Sequence, residues 1–294
     1  MRNVTLDNLL DALCKLATKA IDTGDYSLAL KLTREAQALK PSLKSSPTLY
    51  AYLINIGGLL IDIGSFLEDI KVLQEGLSLL EGNLDRLDKS KKYAPLTYYD
   101  LGNAYSSLFN LRRKQQRSYP YFANTELDIA RNYYNKCLKY QSDDPHFVSQ
   151  VQVNLGNCFD EMGRVLDALE CYERALALDP SHGMALGNKG IGLYTYARVS
   201  GEHQGTFLKE AYSLLSLALQ KGTNPEAIVH FERIIQIIRD QFKANNTKLD
   251  TSGQYPGITY KGQTGLEKFL TDFCLRNKLY LNICNNCQRC DAAV

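Results

Sequence analysis

Along most of this chain apolar residues return every three or four positions, broken at intervals by glycine, proline and short polar runs. The pattern is sharpest over Val151–Pro180, VQVNLGNCFDEMGRVLDALECYERALALDP. Leu155, Gly156 and Phe159 share one face of a first helix, and Gly163 breaks the period as a residue free to take positive φ does. Ala168, Tyr172 and Ala175 then recur at i, i+4 and i+7 on a second helix that Pro180 stops. The small residues at 156, 168 and 175 let the two backbones approach, while Leu155, Phe159 and Tyr172 fill the space between. The prediction is a hairpin of two amphipathic helices.

The same register laid over the rest of the chain predicts further hairpins. Residues 10–43 carry Leu13, Leu16, Ala17 and Ala20, then Gly24, Ala29, Ala36 and Pro41. Residues 50–83 carry Ile56, Gly57, Leu60, Gly64, Leu73 and Gly76, with Asp69 where a small residue is expected. A polar linker, Asp85–Pro95, follows. Residues 95–146 match through Leu101, Gly102 and Tyr105, and again through Ala130, Tyr134 and Cys137, around the insertion LRRKQQRSYPYFANTE. Residues 183–224 match through Leu186, Gly190 and Leu193, then Ala211, Leu215 and Ala218, around a shorter insertion. Ala227–Phe242 reads as a strongly amphipathic end helix, with Ile228, Phe231, Ile234, Ile235, Ile238 and Phe242 on one side. Residues 244–263 read as a loop, and a last helix is expected from Thr264 through Cys284.

Residues 149–182 resemble the 34-residue tetratricopeptide repeat (TPR) at nearly every signature position. The resemblance implies an all-α, right-handed superhelical solenoid of about five helix pairs over 1–224. A capping helix at 225–243 and a linker with a short helical, cysteine-rich extension at 244–294 complete it. It also implies a concave wall, lined by the first helix of each pair, that holds a peptide or protein segment. Some peptide-holding members place asparagine just before the Leu-Gly pair. Asn55, Asn154 and Asn188 are read at that place here, with Lys15 and Tyr99 in the other two repeats. Asn103 and Asn157 add amides, Asp160 and Glu161 add acidic charge, and Tyr98 completes the candidate partner-binding set with Asn55, Asn154 and Asn188. An amide both donates and accepts, so it can pair with an extended backbone without reading side chains; the alternative is that these residues bridge neighbouring helices. The carboxylate clamp of chaperone-binding members needs lysine and asparagine where this chain has Cys14 and Thr18, which argues against a chaperone-tail adaptor.

A second resemblance concerns GLEKFLTDFCLRNKLYLNIC. It is similar to the part of bacterial TPR proteins that precedes a HEPN-type ribonuclease domain, where a helix ends Leu-x-Leu-Asn, here Leu279-Tyr280-Leu281-Asn282. The resemblance implies the sensing or assembly arm of an antiphage or toxin-like nuclease. No helical catalytic domain follows Asn282, so the chain itself is expected to be non-catalytic.

Composition narrows the rest. A net charge of +2 over 294 residues gives no global attraction for nucleic acid or anionic lipid. No apolar run is expected to reach membrane-span length, because Asn55, Gly57 and Gly58 interrupt Tyr50–Ile63. The N-terminus lacks a signal-peptide pattern and the cysteines are scattered, which together lead to a cytoplasmic expectation. Locally, Arg112, Arg113, Lys114 and Arg117 with nearby Tyr119, Tyr121 and Phe122 suit single-stranded RNA, as an alternative to a solvated insertion. Arg198 and His203 match the Arg-x4–6-His spacing of HEPN nucleases, but fall within an insertion. Cys284, Cys287 and Cys290, with Cys274 upstream, are either ordinary reduced thiols or a zinc site; no cofactor is otherwise expected. Self-association, a partner subunit, and a peptide-sensing regulator whose helix pitch responds to ligand are the remaining alternatives.

Overall fold

The computed structural model describes residues 6–39, 46–115, 124–140, 142–198, 204–245, 281–284 and 289–292. Those residues form twelve helices and one short hairpin of strands. The first unit, Met1–Pro180, contains α1 (Leu6–Asp22), α2 (Tyr26–Ala38), α3 (Ser46–Phe66), α4 (Ile70–Glu81), the single turn α5 (Leu84–Leu87), α6 (Ala94–Gln115), α7 (Thr125–Lys139), α8 (Pro145–Glu161) and α9 (Val165–Leu178). The second unit, Ser181–Val294, contains α10 (Gly183–Ala197), α11 (Gln204–Lys221), α12 (Pro225–Ala244) and strands β1 (Leu281–Cys284) and β2 (Arg289–Ala292).

In the first unit the helices pair as antiparallel hairpins: α1 with α2, α3 with α4, α6 with α7, and α8 with α9. Helices α1, α3, α6 and α8 also touch in series, so the first helices of the hairpins build one continuous wall. Three turns close the same way. Asp25, Asp69 and Arg164 each donate a backbone N–H to the carbonyl five residues back, Ala20, Gly64 and Phe159, all at 2.8 Å. The residue before each donor is left-handed: Gly24 (φ 77°), Glu68 (φ 56°) and Gly163 (φ 73°). This is the Schellman arrangement, which satisfies the last carbonyls of the first helix. Asp25 and Asp69 then cap the second helix by accepting from Leu28 N–H and from Lys71 and Val72 N–H.

The second hairpin therefore turns at Glu68, one helical turn beyond the place the sequence register gave it. Asp69 is an N-cap, which explains a polar residue where a small one was expected. Gly64 lies inside α3, where a Cβ would stand 2.4 Å from the Leu73 backbone nitrogen; its role is close approach of α4.

Two hairpins share a further device. A Cβ at Gly102 or Gly156 would lie 2.5 Å from the ring of Tyr134 or Tyr172 respectively, so each tyrosine lies flat on a glycine of the facing helix. Each hydroxyl then donates to the asparagine after that glycine: Tyr134 to Asn103 Oδ1 at 2.8 Å, Tyr172 to Asn157 Oδ1 at 2.9 Å. Both tyrosines are buried, so the ring gains apolar contact while the hydroxyl keeps a partner.

Leu49–Phe66 in α3 has a mean hydropathy of 1.5 and is long and apolar enough, by composition alone, to cross a membrane, contrary to the sequence expectation. Tyr52, Leu53, Ile56, Leu60 and Ile63 are buried, in a helix packed against α1, α2, α4 and α6. The inserted residues 111–115 prolong α6 by more than a turn. Arg112 pairs there with buried Glu126, Arg113 with Glu161, and Lys114 with Glu68. On another side, Asp88 accepts from Tyr98 at 2.6 Å and Tyr140 at 2.8 Å, and Lys136 lies over the Tyr98 and Tyr133 rings.

In the second unit α10 and α11 pair, and α12 lays Phe231, Ile234, Ile235, Ile238 and Phe242 against them as buried residues. A Cβ at Gly187 would fall 1.9 Å from Phe231 Cζ, so this glycine makes room for the ring. Residues 281–284 are a correction to the expected final helix: they form β1, antiparallel to β2, with Leu281 opposite Ala292 and Cys284 opposite Arg289. Leu281 and Asn282 therefore open a strand rather than end a helix.

Gly156→Ala is expected to destabilise the protein by about 1–3 kcal/mol, although alanine is the better helix former, because the methyl overlaps the Tyr172 ring. Adding Tyr172→Leu to Gly156→Ala should recover part of the loss; thermal unfolding of the three variants measures it.

Candidate functional site

Counting from the turns identifies equivalent positions along the wall. Asn157 lies six residues before Gly163, and Asp62 lies six before Glu68. Asn103 follows Gly102 as Asn157 follows Gly156, so Asp62, Asn103 and Asn157 occupy one position in successive hairpins. Asp100 and Asn154, three residues before Asn103 and Asn157, occupy a second.

These two positions meet across neighbouring hairpins. Between α6 and α8, Asn154 donates its Nδ2 group to Asn103 Oδ1 at 3.0 Å and to the Tyr99 hydroxyl at 3.2 Å. Asn103 Oδ1 thus takes two donors, from Tyr134 and Asn154. The Asn103 amide also reaches the Tyr99 hydroxyl, which engages one of the two Nδ2 protons. Among the described residues, the second Asn103 Nδ2 proton and Asn154 Oδ1 make no further bond, and both residues are half-buried rather than closed off. The amides both bridge helices and keep one donor and one acceptor for something else.

Between α3 and α6 the equivalent pair is Asp62 and Asp100. Where Tyr99 would have its counterpart stands Gly58, and a Cβ there would be 3.1 Å from Asp100 Oδ2. The missing side chain lets the Asp100 carboxylate lie over α3, the helix that carries Asp62. Neither carboxylate has a hydrogen-bond or ion-pair partner among the described residues. Asp62 keeps a solvent-exposed surface, yet the protein around it pushes its pKa from 3.8 up to about 6 by desolvation. Exposure together with that desolvation describes a recessed, open position. Asp100 is only partly exposed, and burial first, then the Asp62 charge, raises its pKa well above the ordinary carboxylate range. Burial likewise pushes the neighbouring Tyr99 hydroxyl up to about 12.

The other candidates are spread more widely. Asn55 is exposed on α3, one turn before Gly58 and Leu59. Asp160 is exposed near the end of α8, with its pKa raised by burial and by Glu161. Asn157 accepts from Tyr172. Tyr98 is buried and donates to Asp88, in the tyrosine cluster rather than on the wall. Asn188 is half-buried on α10, in the second unit. Arg112, Arg113 and Lys114 are engaged by carboxylates, while Arg117, His203, Cys274 and Cys287 lie outside the described residues. Cys284 and Cys290 sit in β1 and β2, Cys290 opposite Ile283.

Sequence reasoning missed Asp62 and Asp100. It set the second hairpin one turn early, and in the third it placed Tyr99 before the Leu101–Gly102 pair, where Asp100 stands. The signal was present: Asp69 followed by Ile70, Val72 and Leu73 reads as an N-cap, and moves the turn to Glu68.

For nucleophilic chemistry the described thiols are poorly suited. Cys14, Cys137 and Cys158 are buried, and desolvation pushes them up to about 11, 12 and 12, far from thiolate at neutral pH. In the second unit a cleft of about 350 Å³ lies between the start of α11 and the end of α12, lined by Thr206, Lys209, Gln241 and Asn245 among others.

Residues 149–182 match the family model of the tetratricopeptide repeat. A search of the curated proteins found no match by sequence. Among solved structures, the chain is similar to a thermophilic TPR protein of Thermus thermophilus, with a TM-score of 0.55 and 16% identity over 77% of this chain and 99% of that one. It is also similar to pilF of Pseudomonas aeruginosa, with a TM-score of 0.50 and 16% identity over 91% of this chain and 99% of that one. These likenesses identify the fold as a TPR-type solenoid.

The unpaired acids make a stability prediction. A carboxyl with a raised folded pKa holds its proton more tightly folded than unfolded. Its contribution is most favourable below the ordinary value of 3.8 and declines as pH rises through about 6 for Asp62, and higher for Asp100. Asp62→Asn and Asp100→Asn should therefore raise the Tm at neutral pH, with the gain shrinking towards pH 4. Thermal melts across that range check it, and a gain that persists undiminished in acid contradicts the assignment.

Proposed function

We propose that this TPR-type repeat protein is a non-catalytic interaction platform that holds a peptide or protein segment along the wall of α3, α6 and α8. One observation carries the reading: solvent-accessible polar groups of Asp62, Asp100, Asn103 and Asn154, with hydrogen-bonding capacity left over by the described residues, line up at equivalent positions across successive hairpins. Solvent meets these groups when the wall is empty, and a bound segment can take its place. A bound backbone can supply the acceptor for Asn103 Nδ2 and the donor for Asn154 Oδ1. Assembly with a partner subunit or a second copy through the same wall falls within this reading.

The finer reading, the sensing or assembly arm of a bacterial HEPN-type ribonuclease, rests on the resemblance at Leu279–Asn282 alone. Sequencing the native gene beyond codon 294 tests it, since an open frame encoding helices with an Arg-x4–6-His motif is what it requires. An RNA-binding role has less support, because carboxylates on neighbouring elements already neutralise Arg112, Arg113 and Lys114.

A photo-crosslinking side chain placed in the full chain at Asn55 or Asp160, both exposed on first helices, should form a discrete adduct in cells. The same group at Glu35 or Arg174, exposed on the second helices α2 and α9, should not. Adducts confined to the α2 and α9 positions would move the binding face away from the wall.

A further inference from the structure

We propose that two copies of this chain join through the outer edge of the first hairpin, their α1 helices packed antiparallel about a two-fold axis. The starting observation is a set of equivalent positions that are covered in the later hairpins of the first unit and open in the first. Leu16 lies eight residues before Gly24; eight before Glu68 and Gly163 stand Leu60 and Leu155, and Leu101 precedes Gly102 as Leu155 precedes Gly156. Leu60, Leu101 and Leu155 are buried, whereas Leu16 is 52% exposed. Leu9, one heptad earlier, is 40% exposed, while its counterparts Leu53 and Ala94 are buried. On the second helix Leu28 is exposed and its counterpart Val72 is buried, four residues beyond the turn in each case.

The cover in the later hairpins comes from the hairpin before: α3 packs on α1 and α2, α6 on α3 and α4, and α8 on α6 and α7. Among the described residues no element takes that place on α1 and α2. The first hairpin thus carries the side chains of an inner hairpin, where an end hairpin would carry a polar outer face. The last helix of the second unit shows the contrast, since Glu232, Arg233, Gln236, Arg239 and Asp240 of α12 are all exposed. Glu35 lies off the open face: its counterpart Arg174, eleven residues beyond the turn in each case, stays exposed in a hairpin that has a predecessor.

Spacing and charge on α1 together select the occupant. Leu6, Leu9, Leu13, Leu16 and Ala20 follow at intervals of three, four, three and four, the seam by which one α-helix packs along another. Leu10, Cys14 and Ala17, on the adjacent flank, are already buried in the chain's own core, so this seam is a second apolar stripe on the same helix. Its charges are segregated along the axis: exposed Asp7 and Asp11 lie in the first half, exposed Lys15 and Lys19 in the second. An antiparallel pair sets Leu9 of one copy against Leu16 of the other, and the acidic half of each α1 beside the basic half of its partner. A parallel pair would set like charge beside like. The surface is therefore complementary to itself, and a two-fold axis closes the assembly at two copies. The interface lies outside the peptide-holding positions on α3, α6 and α8 and does not depend on them.

Sedimentation equilibrium of the full chain over a concentration series tests this. The expected result is a reversible monomer–dimer equilibrium with no larger species. Leu9→Glu/Leu16→Glu replaces side chains that solvent already reaches, so it should leave a helical, cooperatively melting monomer and weaken dimerisation about tenfold or more. Lys15→Glu/Lys19→Glu, which makes α1 acidic along its length, should weaken it as well, most strongly at low salt. A photo-crosslinking side chain at position 9 should join the second copy at the Leu16–Ala20 end of its α1. A wild type that stays monomeric throughout the series would overturn the inference, as would a dimer that survives the loss of both leucines. A crosslink to the Leu6–Leu10 end would overturn the antiparallel arrangement, and assemblies that grow without limit with concentration would overturn the two-fold closure. None of these results bears on the peptide-holding wall, which stands or fails on the adducts at Asn55 and Asp160.

Discussion

Close approach of two helix backbones is the constraint on which this structure depends. In the third and fourth hairpins it is met by a glycine under a tyrosine ring, Gly102 under Tyr134 and Gly156 under Tyr172. The ring fills the interhelix space, and its hydroxyl then needs a partner at the far side of the glycine. Asn103 and Asn157 provide it. The asparagines on the wall are thus part of how the hairpins close, before any question of ligand arises. The Asn103 side chain has more hydrogen-bonding capacity than Tyr134 uses, and Asn154 of the next hairpin takes part of it.

The second hairpin solves the same packing problem differently. Its second helix places Leu77 where Tyr172 stands in the fourth, nine residues beyond the turn in each case. Leucine has no hydroxyl, so the facing position carries no obligation to accept a hydrogen bond. Asp62 occupies it, released from the role that fixes its amide counterparts. Gly58 and Asp100 complete the departure by bringing a second acid over α3. A repeat array keeps its stability in apolar contacts between neighbours, and can therefore carry a local electrostatic cost at one boundary without losing the fold.

Most of the hairpin architecture was legible because it follows from period and small residues: Ala17, Ala29, Ala36, Ala168 and Ala175 are fully buried or nearly so, as their spacing required. The candidate site was legible only in part. Asn103, Asn154 and Asn157 lie in hairpins whose signature is clear, so their relation to one another could be read. Asp62 could not be read in the register that took Gly64 as the turn, because α3 runs one turn longer and Glu68 adopts the left-handed conformation without being glycine. The basic run after Leu111 suggested nucleic acid because charge along a sequence does not show its counter-charges. Glu68, Glu126 and Glu161 come from three different hairpins.

That distribution of charge bears directly on the acids. The chain carries 34 basic and 32 acidic residues, so cations are not scarce. At the prolonged end of α6, three consecutive cations each meet a carboxylate from a different element. At the other end of the same helix, Asp100 meets only another aspartate. Exposed ion pairs are individually weak and easily gained or lost, so a lysine or arginine could relieve the repulsion from many neighbouring surface positions. The described residues place none there. Among the described residues, α6 therefore carries cations that are paired at one end and, nearer the other, an aspartate without an ion pair.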